Sequence, residues 1–189
     1  DDGYSLGAQE NFNADTDTVV TPEVKNFDGF TAPKKQQVTV EGDGRTTVIY
    51  RYTRNVHTLT LKNYDGKTDK TVEARYEMSI PKPTRAGYAF AGWYTDKDFK
   101  NRFDGTMPDK DLTLYAKQTP VMSSYTVYHY KESVDGSYFG LTDEEVLSGL
   151  TESEVTPQPK QYEGFTSPEA KTGQVNGWGG PDIWYHYTR

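Results

Sequence analysis

The chain has 189 residues, 33% of them hydrophobic and 14% aromatic, with 15 tyrosines, no cysteine and a formal net charge of −7. The lack of cysteine excludes a disulfide framework, thiolate metal sites, cysteine nucleophiles and thioester crosslinks. A mean hydropathy of −0.87, with no apolar run near the roughly 20 residues a spanning helix needs, excludes membrane insertion by a helix.

Positive charge is not clustered. Residues 1–54 carry 6 Lys/Arg against 9 Asp/Glu, residues 55–118 carry 11 against 9, and residues 119–189 carry 4 against 10. Nucleic acid and anionic membrane surfaces are therefore not expected partners. Abundant Tyr, Thr, Val and Gly with few Leu favour strands over helices. The opening Asp1-Asp2-Gly3 reads as a fragment or a processed form.

In chain order, Asn13-Ala14-Asp15-Thr16-Asp17 is an oxygen-rich loop, a weak calcium candidate, and Glu41-Gly42-Asp43-Gly44 is turn chemistry. The run from Val20 to Pro33 lines up with Val155 to Pro168 at an offset of 135, with 8 of 14 positions identical. The same offset carries Tyr50-Arg51-Tyr52-Thr53-Arg54 onto Tyr185-His186-Tyr187-Thr188-Arg189. Residues 1–54 and 125–189 are thus two copies of one repeated sequence. Asp2-Gly3 matches Asp135-Gly136, so a strand equivalent to Tyr125–Tyr130 falls ahead of the first copy. In the last strand, Ile183, Tyr185 and Tyr187 share one face, expected to be core, and Trp184, His186 and Thr188 share the wet one.

Between the copies, His57–Lys62 and Val72–Tyr76 read as strands, with a turn signal at Asp65-Gly66. Tyr88 to Tyr94 is the strand on which the middle is organised, with Trp93 in the core and Gly92 allowing close backbone approach. Asp96 to Phe103 is expected to be a loop with a helical turn, and Leu112 to Lys117 a closing strand. Asn55-Val56 and Thr119–Ser124 are short junctions, so neighbouring units are expected to touch in a stiff, extended array.

Signs of catalysis are sparse. His57, His129 and His186 lie on strands without a partner at metal spacing, and read as exposed or half-buried strand residues. Ser123-Ser124 reads as linker. Asp143-Glu144-Glu145 reads as a solvated loop run rather than a glycosidase pair. Exposed aromatics are the better binding chemistry, because sugar C–H faces stack on rings. Trp178, among the glycines of Asn176-Gly177-Trp178-Gly179-Gly180, and Trp184, opposite the tyrosine face, are the candidate ligand-binding residues, against the plain reading of scattered surface aromatics. No cofactor or metal is expected.

Two resemblances add to this. Pro83–Thr95, with Gly92-Trp93-Tyr94, and Leu112-Thr113-Leu114-Tyr115-Ala116-Lys117 resemble the internalin-type B repeat (the Listeria–Bacteroides repeat) over roughly 57–118, although that family usually has Trp where Gln118 stands. The opening Tyr125–Lys131, the Gly-Phe-Thr middle and the final Tyr-x-Tyr strand resemble the mucin-binding-protein repeat, MucBP, of bacterial adhesins, over 125–189 and most of 1–54. The resemblances imply a mainly β chain with an α+β tendency: three small tandem β-grasp-like modules, 1–54, 57–118 and 125–189, each a mixed sheet with a short helix or helical turn. They also imply a non-enzymatic repeat region of a Gram-positive cell-surface adhesin. It would be extracellular and cell-wall-associated, projecting binding domains and binding mucin or other host glycoproteins. A passive stalk and the accessory domains of a secreted carbohydrate-active enzyme stay open as alternatives. A monomer is expected, with strand exchange through the first copy as the other possibility. Intramolecular Lys–Asn or Lys–Asp isopeptide bonds, known in such adhesins, need a buried Lys beside a carboxyl or carboxamide and a catalytic acid.

Overall fold

The computed structural model describes residues 3–137 and 139–189, so Asp1, Asp2 and Tyr138 lie outside the described residues. Among the described residues all regular elements are strands: β1 (Val19–Val20), β2 (Phe30–Thr31), β3 (Val38–Thr39), β4 (Thr53–Arg54), β5 (Val56–Lys62), β6 (Lys70–Arg75), β7 (Tyr88–Tyr94), β8 (Arg102–Phe103), β9 (Leu112–Pro120), β10 (Met122–Glu132), β11 (Phe139–Leu150), β12 (Glu154–Val155), β13 (Gly173–Gln174) and β14 (Asp182–Tyr187). They form small sheets of order β1-β3, β2-β4 and β12-β13, a five-stranded sheet β6-β5-β9-β7-β8 and a three-stranded sheet β11-β10-β14.

The helical turn expected across Asp96–Phe103 is absent. The Asp96 carboxylate instead accepts the backbone N–H groups of Asp98, Lys100 and Asn101, donors a helix would turn toward its own carbonyls. Those bonds hold the Asp96 carboxyl below its ordinary pKa.

The chain divides into two compact units, one of Asp1–Thr60, Thr71–Ile80 and Gly105–Thr113, the other of Leu61–Lys70, Pro81–Asp104 and Leu114–Arg189. In the first, Leu59, Ala74 and Met107 are buried, and Met107 is fixed on both sides: its carbonyl accepts the Glu77 N–H at 2.7 Å and its own N–H goes to Met78 O at 2.9 Å. Asp109 gathers polar ends there, taking His57 Nε2 at 2.7 Å and Asn55 Nδ2 at 2.9 Å. His57 therefore does meet a carboxylate, one that sequence spacing does not reveal because the two lie 52 positions apart.

In the second unit, β7 runs antiparallel to β9 with a register shift between Phe90 and Gly92. The shift inserts Ala91 and reverses the parity of the strand, so that Phe90 and Trp93 share a face and meet edge-on at 5.3 Å. Tyr64 also stacks on Trp93, and the indole N–H donates to Pro81 O at 3.2 Å. Gly92 serves this bulge through its φ of 140°. A Cβ there would meet nothing closer than 3.6 Å, so the expected close approach is corrected to a conformational requirement. Gln118, in the position of the family's usual Trp, donates its amide to Tyr64 O at 3.0 Å and tethers that ring.

The repeat read from sequence recurs bond for bond at the same offset of 135. Tyr50 Oη donates to Pro22 O at 2.8 Å, as Tyr185 Oη does to Pro157 O at 2.5 Å. Lys25 N donates to Tyr52 Oη at 3.0 Å, as Lys160 N does to Tyr187 Oη at 2.9 Å. Val40 N–H donates to Thr18 O as Val175 N–H does to Ser153 O, and Asp17 and Glu152, at φ 63° and 68°, open the same turn. The copies differ in burial. Tyr185 and Tyr187 are fully buried against β10, whereas Tyr50 and Tyr52 are half-buried, no strand equivalent to β10 being present beside them among the described residues. The expectation of a core tyrosine face holds fully in the second copy and only partly in the first.

Two turns predict a pH dependence. The Asp65 carboxylate accepts the N–H groups of Thr68 and Lys67, and Asp135 accepts the hydroxyls of Ser133 and Ser137, lowering each to about 2. A carboxyl whose folded pKa lies below its unfolded value contributes stability above the unfolded value, and that contribution is lost as pH falls through the folded one. Thermal unfolding should show a Tm that falls progressively as pH drops from about 5 toward 2. The Asp65→Asn variant should show a smaller fall, and an unchanged slope would refute the assignment.

Candidate functional site

The three-stranded sheet of the second copy presents two chemically different faces. β14 lies parallel to β10 with Val127 opposite Ile183, Tyr128 opposite Trp184, His129 opposite Tyr185 and Tyr130 opposite His186. That register sends the odd-numbered residues of both strands inward and the even-numbered ones outward.

On the inner face, Tyr125, Val127, Val175, Ile183, Tyr185 and Tyr187 form a core, with Val155, Tyr162 and Phe165 packed against it. His129 is enclosed with them, fully buried, its ring against Tyr185 and Tyr187. This corrects the expectation of an exposed or half-buried strand histidine. A buried imidazole must have partners. Tyr187 Oη lies 2.8 Å from Nδ1, and Glu145 Oε2 lies 3.0 Å from Nε2. Tyr187 Oη also accepts the Lys160 N–H.

Lys160 closes the network, with Nζ on Asp143 and 3.1 Å from Glu145 Oε1. The acid run is therefore part of strand β11, not a solvated loop: pairing with β10 turns Asp143 and Glu145 toward Lys160 and leaves Glu144 on the outer face beside Tyr128. Hydrogen bonding to Asp143, and then to Glu145, pushes Lys160 up to about 12. The Lys160 hydrogen bond in turn holds Asp143 low. Burial works against the Glu145 carboxylate, but the bonds from Lys160 and His129 outweigh it and its pKa is lowered. An isopeptide bond needs a neutral amine attacking a protonated carboxyl, and this geometry favours the opposite charge states. The cluster is a charge lock on the sheet. Its Lys–Glu half recurs in the first copy, where Lys25 Nζ meets Glu10 at 2.5 Å.

The outer face carries rings. Trp184, 45% exposed, stacks on Tyr128 at 6.1 Å and 12°, and His186 stacks on Tyr130 at 5.4 Å and 24°, with Phe139 edge-on to His186 at 4.9 Å. Two residues along a strand advance about 6.6 Å, so the two pairs form a ledge with rings at that spacing. Glu144 stands beside Tyr128 on β11, and Leu141 and Val146, 54% and 67% exposed, extend the apolar surface. Such a face offers ring surfaces for apolar contact and a carboxylate for hydroxyls.

Of the two candidate residues read from sequence, Trp184 is part of this ledge. Trp178 is 86% exposed on a separate loop whose turn is closed by Asn176, which accepts the Trp178 N–H at 2.9 Å. Among the described residues Trp178 makes no ring contact. Its loop is anchored by Gly177, whose Cα lies against the Ala86–Gly87 backbone, leaving no space for a side chain. Sequence reasoning missed Tyr128, Tyr130 and His186. Among the described residues there is no group of three or more His, Cys, Asp or Glu placed to hold a metal ion.

Comparison with known proteins locates the middle of the chain. Internalin H of Listeria monocytogenes is 37% identical over 115 residues, 58% of this chain and 20% of that protein. A protein described as a membrane protein in Evansella cellulosilytica is 31% identical over 125 residues, 64% of this chain and 18% of its own length. A second from that organism, described as a Gly-rich membrane protein, is 29% identical over 130 residues, 66% of this chain and 14% of its length. The chain thus spans a fifth or less of the length of each relative. Residues 57–117, which contain the Trp93 bulge and most of the closing strand β9, match the Listeria–Bacteroides repeat domain, so the middle of the chain is similar to an internalin-type repeat.

Proposed function

We propose that this chain is a non-enzymatic repeat region of a bacterial cell-surface protein, extracellular and wall-associated. In this reading the outer face of the β11-β10-β14 sheet binds the glycan chains of mucin or other host glycoproteins. The chain is organised as units 1–54, 57–118 and 125–189, the outer two of MucBP type around the internalin-type repeat, each with a β-grasp-like plan. The internalin and membrane descriptions of the relatives support the surface location.

The observation that carries the binding reading is the ledge of Trp184, Tyr128, Tyr130 and His186. A sheet face that served only as a spacer would gain nothing from four rings in contact with water, and a contiguous exposed apolar patch of this kind marks an interaction surface. Sugar C–H groups carry slight positive charge and pack on the electron-rich faces of such rings, while hydroxyls bond to a carboxylate such as Glu144.

The test is binding of the chain to a glycan array and to immobilised mucin. Trp184→Ala is expected to weaken binding by about tenfold or more, as for a central aromatic anchor. Trp178→Ala, on its separate loop, is expected to weaken it less. Loss only in Trp178→Ala would move the site to the 176–180 loop. Absence of binding by the unaltered chain would favour the passive-stalk reading, with the ligand taken elsewhere in a longer protein.

A further inference from the structure

The face that ends the first copy is covered, and the same face of the second copy is bare. In the first copy Gly29 is buried at φ 79°, and a Cβ there would stand inside the ring of Tyr76. The Phe30 ring meets Tyr76 edge-on at 5.9 Å, and Arg54 lies 4.9 Å over Phe30 with its guanidinium paired to Glu77. Asn55 stitches the contact: its N–H donates to Gly29 O at 2.8 Å, its carbonyl accepts the Tyr76 N–H at 2.9 Å, and its side chain reaches Asp109. Tyr76, Glu77 and Asp109 all belong to the stretch that matches the Listeria–Bacteroides repeat.

The second copy reproduces the receiving half. Gly164 has φ 78°, Arg189 lies 4.8 Å over the Phe165 ring, and Thr166 N–H pairs with Thr188 O at 2.7 Å. Yet Gly164 is exposed, and nothing among the described residues comes within 4 Å of where its Cβ would stand. Positive φ alone does not demand glycine in this protein, since Asp17, Asn63, Glu77 and Glu152 all adopt it. Glycine at 29 is explained by the aromatic ring lying on its Cα, and the same residue at 164 meets the same requirement only when that face is occupied.

We infer that Gly164, Phe165 and Arg189 form a docking face for a further Listeria–Bacteroides-type unit, one that presents a Tyr–Glu pair and an aspartate as residues 76, 77 and 109 do. The occupant is specified by contact chemistry: a ring for the glycine Cα and the Phe165 edge, one carboxylate for the arginine and another for an asparagine that follows it, as Asn55 follows Arg54. The inference uses the family match of residues 57–117 and does not depend on glycan binding.

The experiment extends the full chain beyond Arg189 with a second copy of residues 55–118 and follows amide hydrogen exchange. In the unextended chain the Gly29 amide should be protected and the Gly164 amide should exchange freely, so each molecule carries its own control. In the extended chain the Gly164 amide should slow by about tenfold or more. Replacing the Tyr76 equivalent of the added copy with Ala should reverse that protection. The inference is overturned if the added unit folds, as its strand amides report, while Gly164 exchanges as before. It is also overturned if a longer extension, a second copy of residues 55–189 that also supplies the contact Gly177 makes with Ala86–Gly87, leaves Gly164 exchanging freely.

Discussion

Replacing Tyr187 with alanine is expected to destabilise the second unit by about 3–5 kcal/mol, the range for removing a large buried aromatic. The equivalent Tyr52→Ala in the first copy should cost less than half as much. The two tyrosines occupy the same position of the repeat and make the same bonds: each receives a lysine N–H, and each meets a ring edge-on at 4.8 Å, Phe27 in one copy and Tyr162 in the other. What differs is the strand beside them. β10 covers Tyr187 and brings His129 onto its hydroxyl, while Tyr52 keeps one side in water. The larger loss therefore has two parts, a cavity beneath β10 and two polar groups, Lys160 N–H and His129 Nδ1, left buried without their partner. Tyr187→Phe separates them: it keeps the ring and should cost about 1–3 kcal/mol. Urea unfolding, with amide exchange to assign the loss to each copy, measures all three variants. Equal costs at 52 and 187 would mean that the neighbouring strand contributes little.

The repeat explains why much of this was readable. A shared offset of 135 carries proline, glycine and tyrosine positions together, and those residues fix turns and buried hydroxyl bonds locally. Strand positions in the middle unit were legible for a related reason, since alternation and Gly or Pro punctuation are properties of short stretches. The ledge was not legible. In Tyr125-Thr126-Val127-Tyr128-His129-Tyr130 both parities carry large rings, so alternation does not say which side is core. Only the parallel register with β14, set by residues more than fifty positions away, decides that His129 goes in and Tyr128 and Tyr130 stay out. The acid run failed similarly: three consecutive carboxylates look solvated until Lys160 and His129 arrive from other segments. The helical turn over Asp96–Phe103 failed because an aspartate that can cap a helix also closes Asx turns, and sequence does not distinguish the two.

The bulge in β7 ties local sequence to the core of the middle unit, and it sets the second large expectation. Trp93→Ala should cost about 3–5 kcal/mol. The indole is only 5% exposed, packs against Tyr64 and Phe90, and uses its N–H on Pro81 O, so its removal opens a cavity and leaves that carbonyl without its donor. Gly92→Ala should also be destabilising, by about 1–3 kcal/mol, although it adds one methyl group with no neighbour nearer than 3.6 Å. The reason is conformational: at φ 140° an L side chain is strained, and relief of that strain would restore ordinary alternation and turn Trp93 toward the opposite face. The two variants should therefore be less than additive, because the alanine at 92 already weakens the packing that the alanine at 93 removes. A double-mutant cycle by urea denaturation, read with Trp93 fluorescence in the Gly92→Ala protein, checks this. Full additivity together with an unchanged Trp93 emission would show that the glycine serves only its own backbone and that the indole is held inward by other contacts.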